Sequence, residues 1–456
     1  MLTRRRFLER GALAAATVAF PSLAGAASVR RADCLVIGAG FAGLAAAKAL
    51  RAANAKVIVL EARNRIGGRA WSDNSWPGLR PVEMGAGWIH GVRGNPLTTL
   101  ASASSLTTRP FDYDRSETFK AGGVTISDSE LVSIQQTFDR VVGSAANWAE
   151  KLDSDASLAA SFTAAEKILK LSPAQITNAR RAAHVAIEHE YAAPVEKLSA
   201  WWWDEGDELP GGDAVVLEGF SRIAATASVG LEILFGKAVA AVTTKAGSVE
   251  VTTRDGGIFQ APRVIITLPL GVLKSGAVRF SPALPADKLM AIRRLGMGLL
   301  QKTALLFDSV FWPADLHLFD WFGGTVPNQW AEWVNLYPFT KDPALVGFNV
   351  GDFAAGLEAK SDQQVTAEAV ASLSAILGRS IPQPRAVRVS RWGRDPFSLG
   401  AYSYMGIGAS PKDRTNLAKP VDGRIFFAGE ATSSLYPSTL HGAWLSGLAA
   451  AKAASP

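Results

Sequence analysis

Residues 33–69 read DCLVIGAGFAGLAAAKALRAANAKVIVLEARNRIGGR. Cys34-Leu35-Val36-Ile37 is a short apolar run, and Gly38-Ala39-Gly40-Phe41-Ala42-Gly43 follows it directly. An alanine-rich helical segment comes next, then Val57-Ile58-Val59-Leu60, which ends on Glu61. A parallel βαβ unit that binds a dinucleotide needs these parts in this order. Its first glycine, Gly38, allows a tight turn; Gly40 lets the backbone approach a pyrophosphate; Gly43 lets helix and strand pack closely. The helix N-terminus at Phe41 and Ala42 offers unpaired N–H groups and a partial positive charge to phosphates. Glu61, eighteen residues after Gly43, is placed to accept ribose hydroxyls.

The glycine motif alone does not choose between NAD and FAD. Its extension does: Glu61-Ala62-Arg63-Asn64-Arg65-Ile66-Gly67-Gly68-Arg69 resembles the second glycine motif of the FAD-dependent amine oxidases. The resemblance implies that Gly67, Gly68 and Arg69 run beside the diphosphate and the flavin, with Ala62 and Arg63 in the same cofactor site.

The chain has 456 residues, 48% of them hydrophobic and 19% charged, enough for two domains with their own cores. Its formal charge is +6, but residues 1–26 hold four arginines and one glutamate, net +3. The remaining excess is too small and too scattered for a nucleic-acid partner. Thr3-Arg4-Arg5-Arg6-Phe7-Leu8 resembles a twin-arginine export signal, Gly11 to Phe20 forms its apolar region, and Ala24-Gly25-Ala26 is a small-x-small cleavage site. That apolar region is too short to span a bilayer. A periplasmic or secreted bacterial protein, exported by the twin-arginine machinery, is therefore expected. The single cysteine, Cys34, rules out an intramolecular disulfide. The five histidines lack metal-ligand spacing, so no metal site is expected.

Further along, Glu83-x-Gly85-Ala86-Gly87-Trp88-x-His90-Gly91 resembles the segment of polyamine and spermine oxidases that passes the flavin and enters the substrate cavity. Residues 125–200 look helical. Leu131, Ile134, Phe138, Val141 and Val142 keep helical spacing, as do Ala164, Ile168 and Leu171, and Ser172-Pro173 opens another helix. An all-helical insertion covering the cofactor domain is expected. Trp201-Trp202-Trp203 and Asp204-Glu205-Gly206-Asp207-Glu208 close it. They either line a tunnel for a cationic substrate or form a packed hinge with a solvated acidic loop. Strands follow around Val239 and Val242, Val249 to Val251, and Arg263 to Pro269, with Asp255-Gly256-Gly257 as turn chemistry.

Lys302 lies among apolar residues and precedes Thr303-Ala304-Leu305-Leu306-Phe307, where a lysine is costly unless its amine reaches water or a partner. Near the C-terminus, Arg391-Trp392 and Gly400-Ala401-Tyr402-Ser403 precede Phe427-Ala428-Gly429-Glu430-Ala431-Thr432. A strand ending in Gly429-Glu430 can bring its carboxylate near ribityl or phosphate hydroxyls. A helix starting at Thr439-Leu440 can aim its N–H groups at the flavin pyrimidine oxygen.

These motifs occur in order through nearly the whole chain, which is identified as a member of the FAD-dependent amine oxidases, nearest to the polyamine and spermine oxidases. The resemblance implies an α/β fold: a Rossmann-like FAD-binding domain of glutathione-reductase type (28–92, 208–274 and 391–456), interleaved with an α+β substrate domain (93–207 and 275–390) that carries the helical insertion. It implies backbone contact of Val239 with the adenine, a water held by Lys302 at the flavin, Tyr402 and Thr439 framing the substrate path, Trp392 beside the ring, and His90 in the substrate cavity. Ala401 stands where monoamine oxidases carry a flavin-bonded cysteine, so FAD is expected to be non-covalent. The resemblance further implies that hydride moves from the amine α-carbon to FAD, that water hydrolyses the imine, and that dioxygen takes the electrons as hydrogen peroxide. Rival readings are an L-amino-acid or tryptophan oxidase, which needs an arginine such as Arg391 or Arg394 facing the flavin, an aromatic monoamine oxidase, or a non-enzymatic electron carrier.

Overall fold

The computed structural model describes residues 29–455 other than 325, 327 and 328. The segment read as an export signal, residues 1–26, lies outside the described residues. The central sheet is parallel throughout, in the order Glu232–Leu234, Val57–Leu60, Cys34–Ile37, Arg263–Ile266, Ile425–Phe427. Cys34–Ile37 and Val57–Leu60 are buried at every position, which is why they read as unbroken apolar runs rather than as alternation. Cys34, Val36, Val57 and Val59 face a core shared with the helices Phe41–Ala52 and Leu440–Ala454. Leu35, Ile37, Ile58 and Leu60 face a second core.

The two helices meet closely because their contact is built from small residues. A Cβ on Gly447 would stand 2.1 Å from the Ala42 carbonyl oxygen, a distance only glycine permits. The second core is closed by another sheet, ordered Arg30–Arg31, Ile258–Ala261, Ser248–Thr253, Val239–Lys245, Arg279–Ser281. Its three middle strands form an antiparallel meander with a parallel strand at each edge.

A seven-stranded sheet forms the other half: Ala386–Val389, Leu300–Leu306, Ala344–Val350, Glu332–Asn335, Leu318–Trp321, Ser116–Lys120, Val124–Thr125. It is antiparallel except where Leu318–Trp321 pairs with Ser116–Lys120. Leu300–Leu306 and Ala344–Val350 are buried along their whole length, with a separate core on each face.

Residues 125–200 fold as expected into helices, Asp128–Ala149, Leu158–Ile168 and Pro173–Ala183, continued by a π-helical turn at His184–Glu188 and the short helix His189–Tyr191. Ser127, Ser157 and Ser172 cap the first three, Ser172 in a reciprocal capping box with Gln175. The apolar face of the insertion closes on itself and on Tyr404, which lies in the 391–456 segment read as cofactor domain, and Ile134 meets Phe322 at the end of the seven-stranded sheet. One expectation needs correction. Ile168 is 61% exposed, because Leu158, Phe162 and Ala165 own the buried face. Among the described residues, no helix is long and apolar enough to cross a membrane.

Candidate active site

A single cavity of about 800 Å³ runs from the glycine turn at the ends of the parallel strands to the face of the seven-stranded sheet. Every residue that the sequence assigns to the site lines it except Gly43. Gly43 is packed: a Cβ there would stand 1.9 Å from the Gly38 carbonyl oxygen. Its work is the close helix–strand contact, not contact with a ligand.

The strand Cys34–Ile37 ends at Gly38, whose φ of +106° only glycine adopts readily. A Cβ on Gly40 would meet nothing nearer than the Gly68 Cα at 3.9 Å, so the space in front of this turn is open. The helix Phe41–Ala52 has no side-chain cap at Gly40, and its first N–H groups are left for a ligand. Glu61 orients the turn, accepting from the Ala39 N–H at 2.7 Å and from the Arg63 N–H at 2.8 Å. Each of its oxygens keeps a lone pair for the cavity. These features fit the adenosine and diphosphate end of FAD.

Further in, Arg69 Nη1 donates to Glu430 Oε1 at 2.7 Å and to the Ala401 carbonyl at 2.8 Å. Glu430 Oε2 accepts from the Ser403 hydroxyl at 2.6 Å. Burial opposes ionisation of Glu430, but Arg69, Ser403 and Arg414 outweigh it and hold the carboxyl below its usual range. Both oxygens of Glu430 are therefore engaged by protein. Thr439 caps the helix Leu440–Ala454 by accepting from the Gly442 N–H at 3.0 Å, which fixes where that helix end meets the cavity.

Lys302 is 4% exposed and sits in the strand Leu300–Leu306. Its Nζ donates to the carbonyls of Gly85 at 2.6 Å and Glu83 at 3.2 Å, and lies over the rings of Phe348 at 4.8 Å and Trp88 at 5.3 Å. An ammonium has three donors, so one is left for the cavity. Burial pulls Lys302 down to about 8 against the opposing charges of Glu83 and Glu332. Burial pushes Glu83 up to about 7, against the Phe220 N–H, the Ser72 hydroxyl and Lys302. Trp392 is anchored by its indole N–H on the Met84 carbonyl at 2.8 Å. The Tyr402 hydroxyl donates to the His189 carbonyl at 2.6 Å, which ties this ring to the helical insertion.

His90 Nδ1 lies 2.8 Å from Asp213 Oδ2, and the Tyr113 hydroxyl donates to the same oxygen at 2.8 Å. The His90 side chain is 48% exposed, but the exposure is to the cavity it lines. Burial disfavours the imidazolium there, yet Asp213, Glu190 and Glu208 outweigh it and raise the His90 pKa above its ordinary value.

The two readings of residues 201–208 divide. The run Asp204 to Glu208 borders the cavity, while Trp201 and Trp202 are 39% and 41% exposed and do not line it; Trp203 packs edge-on against Tyr191. Glu205 is held by Arg414, whose Nε donates at 2.7 Å. Sequence reasoning also missed Asp213, Glu190, Asp320, Glu332 and His189, which line the cavity. Glu83, two residues before Gly85, belongs to the motif read from sequence, which assigns it no role of its own. Arg391 pairs with Asp362 at 2.8 Å and Arg394 Nη1 donates to the Glu358 carbonyl at 3.2 Å, and neither lines the cavity.

A nucleotide cradle at the carboxyl ends of parallel strands, joined to a chamber on a second sheet, defines the class: an oxidoreductase that works through a bound dinucleotide. The comparisons are more specific. The profile of the flavin containing amine oxidoreductases matches residues 41–455. Polyamine oxidase 2 of Arabidopsis thaliana is 35% identical over 439 residues, covering 93% of this chain and 88% of that one. Lysine-specific histone demethylase 1 homolog 2 of Arabidopsis thaliana is 35% identical over 428 residues, covering 91% of this chain and 57% of that one. A putrescine oxidase structure with putrescine bound shares the fold, with a TM-score of 0.75 at 21% identity over 93% of this chain and 99% of that one. The chain belongs to the flavin containing amine oxidoreductase family. It is a flavin-dependent amine oxidase of mixed α/β fold, and its cofactor is FAD.

The expected localisation is corrected by the same comparisons. The relatives found are plant polyamine oxidases and histone demethylases, not exported bacterial proteins. The periplasmic assignment, and the export partner that went with it, rested on residues 1–26 alone.

Proposed function

We infer that the amine oxidised is a polyamine. The observation that carries this is the chamber beyond Lys302, where Glu190, Asp213, Asp320 and Glu332 line one cavity with the acidic run Asp204 to Glu208. The relatives named polyamine oxidase support it. The cofactor half is read as a Rossmann-like domain of glutathione-reductase type, built from 28–92, 208–274 and 391–456, with 93–207 and 275–390 supplying the substrate domain. Ala401 has no thiol to bond to the flavin, so FAD is non-covalent.

FAD, when bound, would supply the two-electron acceptor for hydride from the amine α-carbon and the route of those electrons to dioxygen as hydrogen peroxide. The chain's own residues bind and orient. Gly38, Gly40, Phe41 and Ala42 receive the diphosphate, Glu61 the ribose, and Val239 the adenine, while Gly67, Gly68, Arg69, Gly85, Ala86, Gly87, Gly429 and Glu430 shape the channel between. Tyr402, Thr439 and Trp392 frame the reacting amine, Lys302 holds a water through its remaining N–H, and His90 with Asp213 receives a cationic part of the substrate.

The test is anaerobic titration of the holoenzyme with spermine, spermidine, putrescine, tyramine and tryptophan. The polyamines bleach the flavin band, and acid precipitation then releases all the flavin to the supernatant. Bleaching by tyramine or tryptophan alone overturns the polyamine reading.

Activity rises with pH. The reacting amine must be neutral to give up hydride, and free alkylamines titrate near ~10, so the competent fraction grows between about 7 and 9. A kcat/KM profile that is flat across this window contradicts the account.

A further inference from the structure

Lys302 is held at both ends. Its Nζ donates to the carbonyls of Glu83 and Gly85, and the indole N–H of Trp392 donates to the carbonyl between them, that of Met84, at 2.8 Å. Two side chains from distant parts of the sequence therefore hang on three successive carbonyls. At the other end, the Lys302 main chain meets Ser390, two residues before Trp392. The Lys302 N–H donates to the Ser390 hydroxyl at 2.8 Å, and the Lys302 carbonyl accepts from the Ser390 N–H at 2.9 Å. The contacts close a ring, from Lys302 through Ser390, Trp392 and Met84 back to the Lys302 amine.

Ser390 stands where the strand Ala386–Val389 stops pairing with Leu300–Leu306; the last pair is Val389 with Thr303. The next pair in that register is Ser390 with Lys302, which in a regular antiparallel ladder exchange two main-chain hydrogen bonds. Only one is made, and the Ser390 hydroxyl replaces the other. The substitution satisfies a buried donor while the chain leaves the sheet toward Trp392. Behind the strand, Gln301 and Thr303 flank Lys302 and project from the opposite face. Gln301 Nε2 donates to the Lys302 carbonyl at 2.8 Å and to the Thr303 hydroxyl at 2.7 Å. Its Oε1 accepts from Asn349 Nδ2 at 3.0 Å, and Asn349 Oδ1 accepts from the Trp330 N–H at 2.9 Å. Gln301, Thr303, Asn349 and Ser390 are all 0% exposed, and none of them lines the cavity. Stability does not require such a network, since apolar groups of the same shape serve a core about as well. What a fully bonded network adds is one fixed arrangement.

We propose that Ser390 is a positioning residue for the reaction: it acts through Lys302, fixing where that amine stands relative to Trp392, with the buried Gln301–Asn349 amide pair as its backing. The proposal rests on the role given to Lys302 and not on which amine is oxidised. Ser390 touches neither substrate nor flavin. Its hydroxyl fixes the main chain from which the Lys302 side chain projects, while the Glu83 and Gly85 carbonyls fix the tip.

The test places Ser390→Ala in the wild type and in Lys302→Met. Stopped-flow absorbance of the holoenzymes reads two half-reactions: anaerobic reduction by spermine, and reoxidation of dithionite-reduced enzyme by dioxygen. Ser390→Ala slows the half-reaction that Lys302→Met slows, by about threefold to tenfold, the scale of one lost hydrogen bond. The apparent Kd for spermine stays at the wild-type value, because Ser390 makes no contact with the ligand. In Lys302→Met, adding Ser390→Ala changes neither rate, the non-additivity expected when one residue acts through another. Equal slowing in both backgrounds means a general loosening of the fold and overturns the proposal, as does a wild-type rate in Ser390→Ala. Gln301→Met, in the same two backgrounds, gives the same pattern and decides the matter if Ser390→Ala loads FAD poorly. Lys302→Met matching the wild type in both half-reactions overturns the role of Lys302 and that of Ser390 with it. Reoxidation needs no amine, so that arm decides the role of Ser390 even where spermine fails to bleach the flavin, an outcome that overturns only the polyamine reading.

Discussion

Replacing Lys302 with methionine slows flavin reduction or reoxidation by about tenfold or more, equivalent to roughly 1.4 kcal/mol or more of lost transition-state stabilisation, while FAD stays bound. The size follows from what surrounds the amine. Two of its three donors are committed to the Gly85 and Glu83 carbonyls, and the rings of Phe348 and Trp88 close around it. The third donor is the group in this chamber that can fix a water at the reaction end. Methionine keeps much of the volume and the flexible stem but offers no donor and no charge. Retention of FAD is expected because the Gly38 turn, Glu61 and the Arg69–Glu430 pair lie elsewhere and remain intact. Stopped-flow measurement separates the two half-reactions, and the flavin absorbance per mole of protein reports loading. Rates equal to the wild type in both half-reactions would remove Lys302 from the mechanism.

That Lys302 could be singled out from sequence, whereas Asp320, Glu332 and His189 could not, shows what kind of information each level carries. A lysine inside an apolar run breaks a local pattern, and the break itself is the signal. The same holds for residues 33–69, where strand, turn and helix chemistry are contiguous and need no distant partner to be recognised. Asp320, Glu332 and His189 break no local pattern. Their meeting depends on the register of four strands and on a π-helical turn, and a shift of one residue in any strand would send its side chain to the other face. The apolar face of Leu158–Ile168 failed for a related reason. Ala164, Ile168 and Leu171 fit a helical period, but the tertiary partner chose the stripe through Leu158, Phe162 and Ala165 instead. In Asp204 to Glu208, composition alone could not separate a cavity wall from a solvated loop. The fold divides it, burying the Glu205 side chain against an arginine 209 residues away while Asp204, Asp207 and Glu208 stay exposed along the cavity.

That arginine carries the largest expected effect on stability. Arg414→Met lowers the unfolding free energy by about 3–5 kcal/mol, the range for breaking a buried ion pair. The side chains of Arg414 and Glu205 are 1% and 5% exposed, so solvent screening does not reduce it to the value of a surface pair. The guanidinium also donates to the Ser403 hydroxyl at 2.8 Å and the Ala431 carbonyl at 3.2 Å, and Ser403 in turn donates to Glu430. Burial already pushes the Glu205 carboxyl above its usual value, with Arg414 holding it back. Removing Arg414 therefore strands one acid and loosens a second. The chain of contacts runs on through Glu430 to Arg69, so FAD affinity falls with stability. The comparison must be made with FAD in saturating excess, because ligand binding alone shifts the transition. The reason for the loss is the uncompensated charge rather than the missing attraction, and a double variant distinguishes the two. Arg414→Met combined with Glu205→Leu removes both charges and regains most of the loss in denaturant midpoint, since an apolar replacement of a buried pair is often neutral. A double variant no more stable than Arg414→Met alone would mean that the pair, with its bonds to Ser403 and Ala431, is itself the source of the stability at the junction between the cofactor channel and the acidic wall.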